Sequence, residues 1–317
     1  MVDARPLRIV FFGTPSFAMP SLEALLKSRH EVVGVVTQQD RPRGRGQKTS
    51  EPPVKTRAQG AGVPVLQPDR LRDLGFLEAL ARVAADLGVV AAYGKILTDQ
   101  VLATPRLGLI NVHASLLPRY RGAAPIHRAV MNGELETGVT IMRMVKALDA
   151  GPMLTSVTRR IDPDETSAEV ERDLAKLGAA ALLETVEALA QGPVDEIPQD
   201  EASATYAARL TKEEGAIDWV RPAVVVHNLV RGLHPWPHAF TFYRGRRLIV
   251  VRSAVLPAPA APPGAILEAA GDHLHVATGH DAIAIREIQV EGKRPMATRD
   301  FLAGHEVSLG DRLTNQP

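Results

Sequence analysis

Four short apolar runs without alternation constrain this chain most: 7–12 (LRIVFF), 32–37 (VVGVVT), 87–92 (LGVVAA) and 107–113 (LGLINVH). A strand with no polar face must be covered on both sides, which is the situation of a parallel sheet packed between helices. Helical patterns at 17–26, 53–59 and 75–85 lie between these runs, and Pro68-Asp69 punctuates the approach to the third. Strand and helix in alternation imply right-handed crossovers and a doubly wound, mostly parallel, Rossmann-like α/β sheet. Strands are also predicted at 139–144 and 154–161. Thr166 and Glu169 then have the three-residue spacing of a capping box. A long helix follows to about Ala190, with Leu174, Leu177 and Ala181 on one face, and Gly192-Pro193 stops it.

Beyond that helix the pattern changes. Residues 191–207 read as a linker. Strand-length pieces follow at 239–243, 248–255, 265–267, 274–277 and 282–288, with a Pro-rich loop at 256–263. A further run at 224–229 fits either a strand or a helix. A small β-barrel or sandwich satisfies such spacing. With 317 residues two domains are expected, and the boundaries fall at 1–190 and 208–317.

Composition narrows the chemistry. There is no cysteine, which excludes disulfides, thiolate zinc sites, iron–sulfur clusters and cysteine nucleophiles. Lys and Arg number 37 against 36 Asp and Glu, so a nucleic acid would have to be met by local patches. No apolar stretch reaches membrane-spanning length, and no signal-peptide core follows the first residues, so a cytoplasmic location is expected. The first strand–helix turn, Gly13-Thr14-Pro15-Ser16, lacks the dinucleotide fingerprint. His273-x-His275 has the spacing of a metal pair, but alternation on an exposed strand accounts for it and no metal is expected.

One segment stands apart: N-V-H-A-S-L-L-P-R-Y-R-G-A-A-P at 111–125. Asn111 and His113 are two apart, so both project from one face of a strand, at the carboxyl end where open α/β sheets place ligands. Asp149, in the turn L-D-A-G-P, is close enough in sequence to fold back on them. Together they would supply an amide donor for a developing oxyanion, a proton carrier, and a carboxylate holding the imidazole. The residues alone leave a second reading open, in which His113 is structural and Asp149 only forms a turn.

The segment at 111–125, with L-D-A-G-P-M, resembles the 10-formyltetrahydrofolate-dependent formyltransferases. F-F-G-T-P-S-F-A, T-Q-Q-D-R-P-R-G-R-G, V-V-A-A-Y-G-K-I-L, E-T-G-V-T-I-M, T-K-E-E-G-A-I-D-W and H-P-W-P fit the branch acting on methionyl-tRNA. The resemblance implies a Rossmann-like catalytic domain followed by an OB-like barrel. It implies 10-formyltetrahydrofolate as co-substrate, initiator methionyl-tRNA as partner, a monomer, and no metal. It makes Asn111, His113 and Asp149 the catalytic trio and gives folate contacts to Ser115, Leu116, Leu117 and Pro118. Ala114 departs from the Gly of many relatives, which affects only local backbone freedom.

Two basic stretches are candidate tRNA contacts. Arg41, Arg43, Arg45 and Lys48 lie in a loop at 40–51 with no apolar residue to hold it. Arg244, Arg246 and Arg247, with Arg252, form a second stretch without an acid among them. A solvated surface explains any single one of these residues equally well. Formyl transfer to a small amine, hydrolysis of formylfolate, and a non-enzymatic RNA-binding protein remain the competing functions.

Overall fold

Burial on both faces puts the four apolar runs at the centre of one sheet. Ile9, Val10, Phe11 and Phe12 are wholly buried, as are Leu87, Val89, Ala91 and Ile110 to within 1%. Each such large side chain contributes about 1.5–3 kcal/mol on leaving water. The computed structural model describes residues 5–43 and 48–316, with only the backbone course for 41–43, 48 and 49.

The elements begin with β1 (Arg8–Gly13), α1 (Met19–Lys27), β2 (Glu31–Val36), β3 (Arg41–Arg43), β4 (Lys48–Ser50) and α2 (Pro53–Gly60). They continue with β5 (Val65–Leu66), α3 (Leu74–Arg82), β6 (Leu87–Ala91), α4 (Asp99–Leu102), β7 (Leu109–His113), β8 (Arg121–Gly122) and α5 (Pro125–Met131). Next come β9 (Glu136–Arg143), β10 (Met153–Arg160), α6 (Ser167–Gln191) and β11 (Tyr206–Ala207). The seven-stranded sheet runs β10-β9-β7-β6-β1-β2-β5. β1 pairs in parallel with β2 and β6, and β6 with β7, whereas β9 is antiparallel to β7. The chain moves outward from β1 to β2 and β5, then returns to β6 on the other side of β1. Ligands of open α/β sheets bind at such a reversal, outside the carboxyl ends of the strands. Elements β5, α4, α5 and β8 are too short to show a hydrophobic period and are absent from the sequence reading.

The described chain falls into two units. The first comprises 1–125, 137–159 and 171–207, and the second 126–136, 160–170 and 208–317. Residues 191–207 thus belong to the first unit instead of forming a free linker, and β11 pairs in parallel with β8. Nothing in their composition signals this, because a two-residue strand is held by backbone bonds alone.

The second unit adds α7 (Ala223–Gly232), β12 (Ala239–Tyr243), β13 (Arg246–Leu256), β14 (Ile266–Ala270), β15 (His273–Ala277), β16 (Ala282–Val290), β17 (Met296–Ala297) and α8 (Thr298–Gly304). The ambiguous run at 224–229 is helical. Val226 and Val230, four apart, both enter the core cluster with Ile283 and Phe301. The antiparallel sheet runs β12-β13-β16-β15-β14. Residues 310–314 bond to both of its edges: Leu313 N–H donates to Gly264 O (2.8 Å) and Phe242 N–H to Thr314 O (2.8 Å). These bonds close the sheet on itself, which removes its open edges. No helix among the described residues is long and apolar enough to cross a membrane.

The capping box at the start of α6 is formed. Thr166 donates to Glu169 Oε2 from its backbone N–H (2.8 Å) and its hydroxyl (2.6 Å), and Glu169 N–H returns to Thr166 Oγ1 (3.4 Å). The Thr166 hydroxyl, then its N–H, with Arg252 assisting, pull the Glu169 carboxyl down to about 2. Thr166→Ala is expected to cost about 1 kcal/mol near neutrality. A depressed carboxyl stabilises the fold above its ordinary value of 4.5, and that contribution fades as pH falls toward about 2. The gap between variant and parent should therefore narrow over that window in urea unfolding. A pH-independent gap would separate the cap from the charge of Glu169.

Candidate active site

His113 ends β7 and is 5% exposed. Its Nε2 lies 3.0 Å from the carbonyl oxygen of Tyr120. A carbonyl can only accept, so Nε2 carries hydrogen and donates, which leaves Nδ1 as the free ring nitrogen. Asp149 Oδ2 faces Nδ1 at 3.7 Å, too far for a hydrogen bond. That same oxygen accepts from Gly122 N–H at 2.8 Å. The expectation that Asp149 holds the imidazole is therefore corrected as to the ring's tautomer. The Tyr120 carbonyl sets it, and Asp149 supplies negative charge beside the other nitrogen.

Asn111 projects from the same face two residues earlier and is 9% exposed. Its side-chain amide makes no hydrogen bond to another described residue. On the opposite face, Gly178 of α6 packs against Val112, where an added Cβ would lie 2.8 Å from Val112 Cγ1. The strand is thus backed closely.

Residues 115–119 form a turn held from inside. The Ser115 hydroxyl donates to Arg119 O (2.7 Å), Leu117 N–H donates to Thr140 Oγ1 (3.2 Å), and the Thr140 hydroxyl donates to Ser115 O (2.8 Å). Ser115 and Leu117 are buried, while Leu116 and Pro118 are half-buried. Two contributors escaped the sequence reading, the carbonyl of Tyr120 and the N–H of Gly122. Both are backbone groups, so no residue-type signal marks them; only their positive φ values, 60° and 115°, set them apart. Tyr93 is core: it packs edge-on to Phe12, and burial pushes its hydroxyl up to about 12.

The basic candidates differ in their surroundings. β3 and β4 pair as a hairpin, so the loop at 40–51 is not wholly irregular. Arg45 lies outside the described residues, as do the side chains of Arg41, Arg43 and Lys48. Lys55 ties down both ends of the excursion, bonding Asp40 (2.6 Å) and Glu51 (2.8 Å). In the second unit, the arginines that lack an acid in sequence acquire one in the fold: Arg244 pairs with Asp311 (2.9 Å) and Arg252 with Glu169 (3.0 Å). Arg247 lies over the Phe240 ring at 3.8 Å, and Arg246 is exposed. The β14–β15 hairpin brings Glu268 to the His273/His275 pair, with Oε2 2.9 Å from His275 Nδ1. That carboxylate is invisible to local spacing.

A mixed Rossmann-like sheet with Asn111 and His113 at one strand end, joined to a second antiparallel domain, defines a two-domain α/β protein. The chain belongs to the formyl transferase family: the formyl transferase model matches residues 7–186 and the formyl transferase C-terminal domain model matches 209–306. It is 49% identical to the methionyl-tRNA formyltransferase of Desulfotalea psychrophila over 306 residues, covering 96% of this chain and 95% of the relative. It is 46% identical to that of Moorella thermoacetica, covering 97% and 99%. In fold it is similar to an N-formyltransferase from Helicobacter canadensis solved with folinic acid and dTDP-3-aminofucose. There the TM-score is 0.69 at 17% identity, over 88% of this chain and 99% of that one.

Proposed function

We infer that this chain transfers the formyl group of 10-formyltetrahydrofolate to the free amino group of methionyl initiator tRNA, giving formylmethionyl-tRNA. The observation that carries this reading is the Asn111 amide, which bonds no other described residue, beside an imidazole whose Nδ1 faces a carboxylate. Near-complete coverage by relatives named methionyl-tRNA formyltransferase supports the acceptor. An amide with spare donors on a strand end suits a carbonyl oxygen that gains charge during reaction.

The folate donor supplies an activated formyl carbon on nitrogen. An α-amino group has a pKa of about 7.7–8, so much of it must shed a proton before attack. That proton leaves to solvent; as the neutral amine then attacks, His113 Nδ1 takes a second proton from its nitrogen, and Asp149 stabilises the resulting imidazolium. Asn111 donates to the formyl oxygen as the new N–C bond forms. His113 then returns the proton to the departing folate nitrogen as its N–C bond breaks, so the imidazole ends as it began. Half-buried Leu116 and Pro118, in the turn next to His113, provide an apolar contact for the folate. Ser115 and Leu117 shape that turn.

Arg41, Arg43, Arg45 and Lys48, with Arg244, Arg246 and Arg247, are the proposed tRNA contacts. Exposed Arg246 is the readiest of the second group, since Arg244 would first have to leave Asp311. Arg45→Ala should weaken use of initiator tRNA without changing folate affinity. If Arg45 touches phosphate, the log–log salt slope of tRNA binding should flatten by about 0.7–0.9. Unchanged slope and unchanged activity would remove Arg45 from the interface. The whole reading is tested by formyl transfer from the folate donor to charged initiator tRNA, compared with water and glycinamide ribonucleotide. Transfer to either comparison acceptor, with none to tRNA, would overturn it.

A further inference from the structure

The two groups that face the ring nitrogens of His113 both hang from a single stretch, 199–207, which neither formyl transferase model matches. Asp149 occupies a left-handed conformation, φ 48°, unusual for a residue with a side chain. Gln199 holds that turn: its Nε2 donates to Asp149 O (2.8 Å) and Gly151 O (2.7 Å). Its Oε1 accepts from Arg121 Nε at 3.0 Å. Arg121 is 1% exposed, and its remaining guanidinium nitrogens form a fork with Glu201, at 2.9 and 2.7 Å. On the imidazole's other side, the Thr205 hydroxyl accepts from Tyr120 N–H (2.9 Å), and Thr205 O accepts from Arg121 N–H (2.8 Å). Ala207 O then accepts from Ala123 N–H at 2.9 Å.

We propose that residues 199–207 are a brace for the active site, with Gln199, Arg121, Glu201 and Thr205 as positioning residues. The physical case is one of satisfied valence. An amide with two donors and one acceptor engaged has a single orientation, and a buried guanidinium forked on a carboxylate fixes that amide from behind. The carboxylate facing Nδ1 and the carbonyl facing Nε2 are therefore set by one strip of chain. The inference rests on the functional reading above only for its rate measurement.

The test compares Gln199→Leu, which keeps the side-chain volume but removes the amide, with Thr205→Val, which removes the hydroxyl. Thermal unfolding establishes that each variant is folded. A displacement of about 1 Å at a catalytic group can cost about 100-fold, so kcat should fall by that order while KM for both substrates stays within about twofold. Nitrogen NMR of the His113 ring, assigned with His113→Gln, should show loss of the single Nε2–H tautomer in folded Thr205→Val and a shifted Nδ1 resonance in folded Gln199→Leu. Wild-type kcat in the variants, an unchanged ring signal, or KM changes that match the loss would overturn the proposal. If the parent protein fails to formylate methionyl-tRNA, the functional reading falls, and the ring signal alone decides the brace.

Discussion

Replacing His113 by alanine is expected to lower the rate constant of formyl transfer by two or more orders of magnitude while leaving folate binding nearly unchanged. The imidazole is 5% exposed, and with its Nε2 on the Tyr120 carbonyl its Nδ1 is left to carry a proton. Asn111→Ala should cost a similar amount, since losing one oxyanion donor typically costs about 100- to 1000-fold. Asn111→Asp should do no better, because it keeps the shape but turns negative charge toward the oxygen that gains it. Donor affinity is spared in each variant because the apolar contact of the folate is assigned to Leu116 and Pro118. Groups that act as one unit are not additive, so the double alanine variant should be little slower than either single one. Single-turnover rates with charged initiator tRNA read this directly. A near-parental rate in His113→Ala would remove the imidazole from the mechanism, and losses that multiply would show two independent functions.

Gly151→Ala should be comparably damaging for a different reason. An added Cβ would lie 1.9 Å from the carbonyl oxygen of Arg143 and 2.8 Å from its carbon, so the backbone must move. Arg143 donates its N–H to Pro152 O at 2.9 Å across the same turn, which leaves little freedom to retreat. Asp149 sits two residues upstream, so the shift is passed to the carboxylate facing His113. A loss of about 100-fold in kcat is expected from displacement on the ångström scale. Gly75→Ala is the control: Gly75 lies in α3 with nothing within 4 Å of an added Cβ, and its activity should be unchanged. The helix should gain about 0.5–1 kcal/mol from that substitution. Parental kcat in a folded Gly151→Ala protein would show that the position of Asp149 does not limit the reaction.

Much of this protein is written in patterns between near neighbours. Four unalternated apolar runs require strands buried on both faces, and these are β1, β2, β6 and β7. The two-residue repeat of a strand puts Asn111 beside His113 before any tertiary contact is known. The three-residue spacing of Thr166 and Glu169 forms its reciprocal cap from local geometry alone. Such features need only the pitch of an element, which adjacent residues determine. Tertiary structure decided everything that depends on where distant chain passes. It made β9 antiparallel, brought Asp311 to Arg244 across 67 positions and set Glu268 against His275. It gave the imidazole's Nε2 to a backbone carbonyl instead of to Asp149. It also turned 191–207 from an apparent linker into part of the first unit, with Gln199 bonded to the Asp149 turn across 50 residues. Those partners share no period with the residues they meet. Their pairing is set by chain path and by the need of buried polar groups for partners, and neither is a property of a local stretch of sequence.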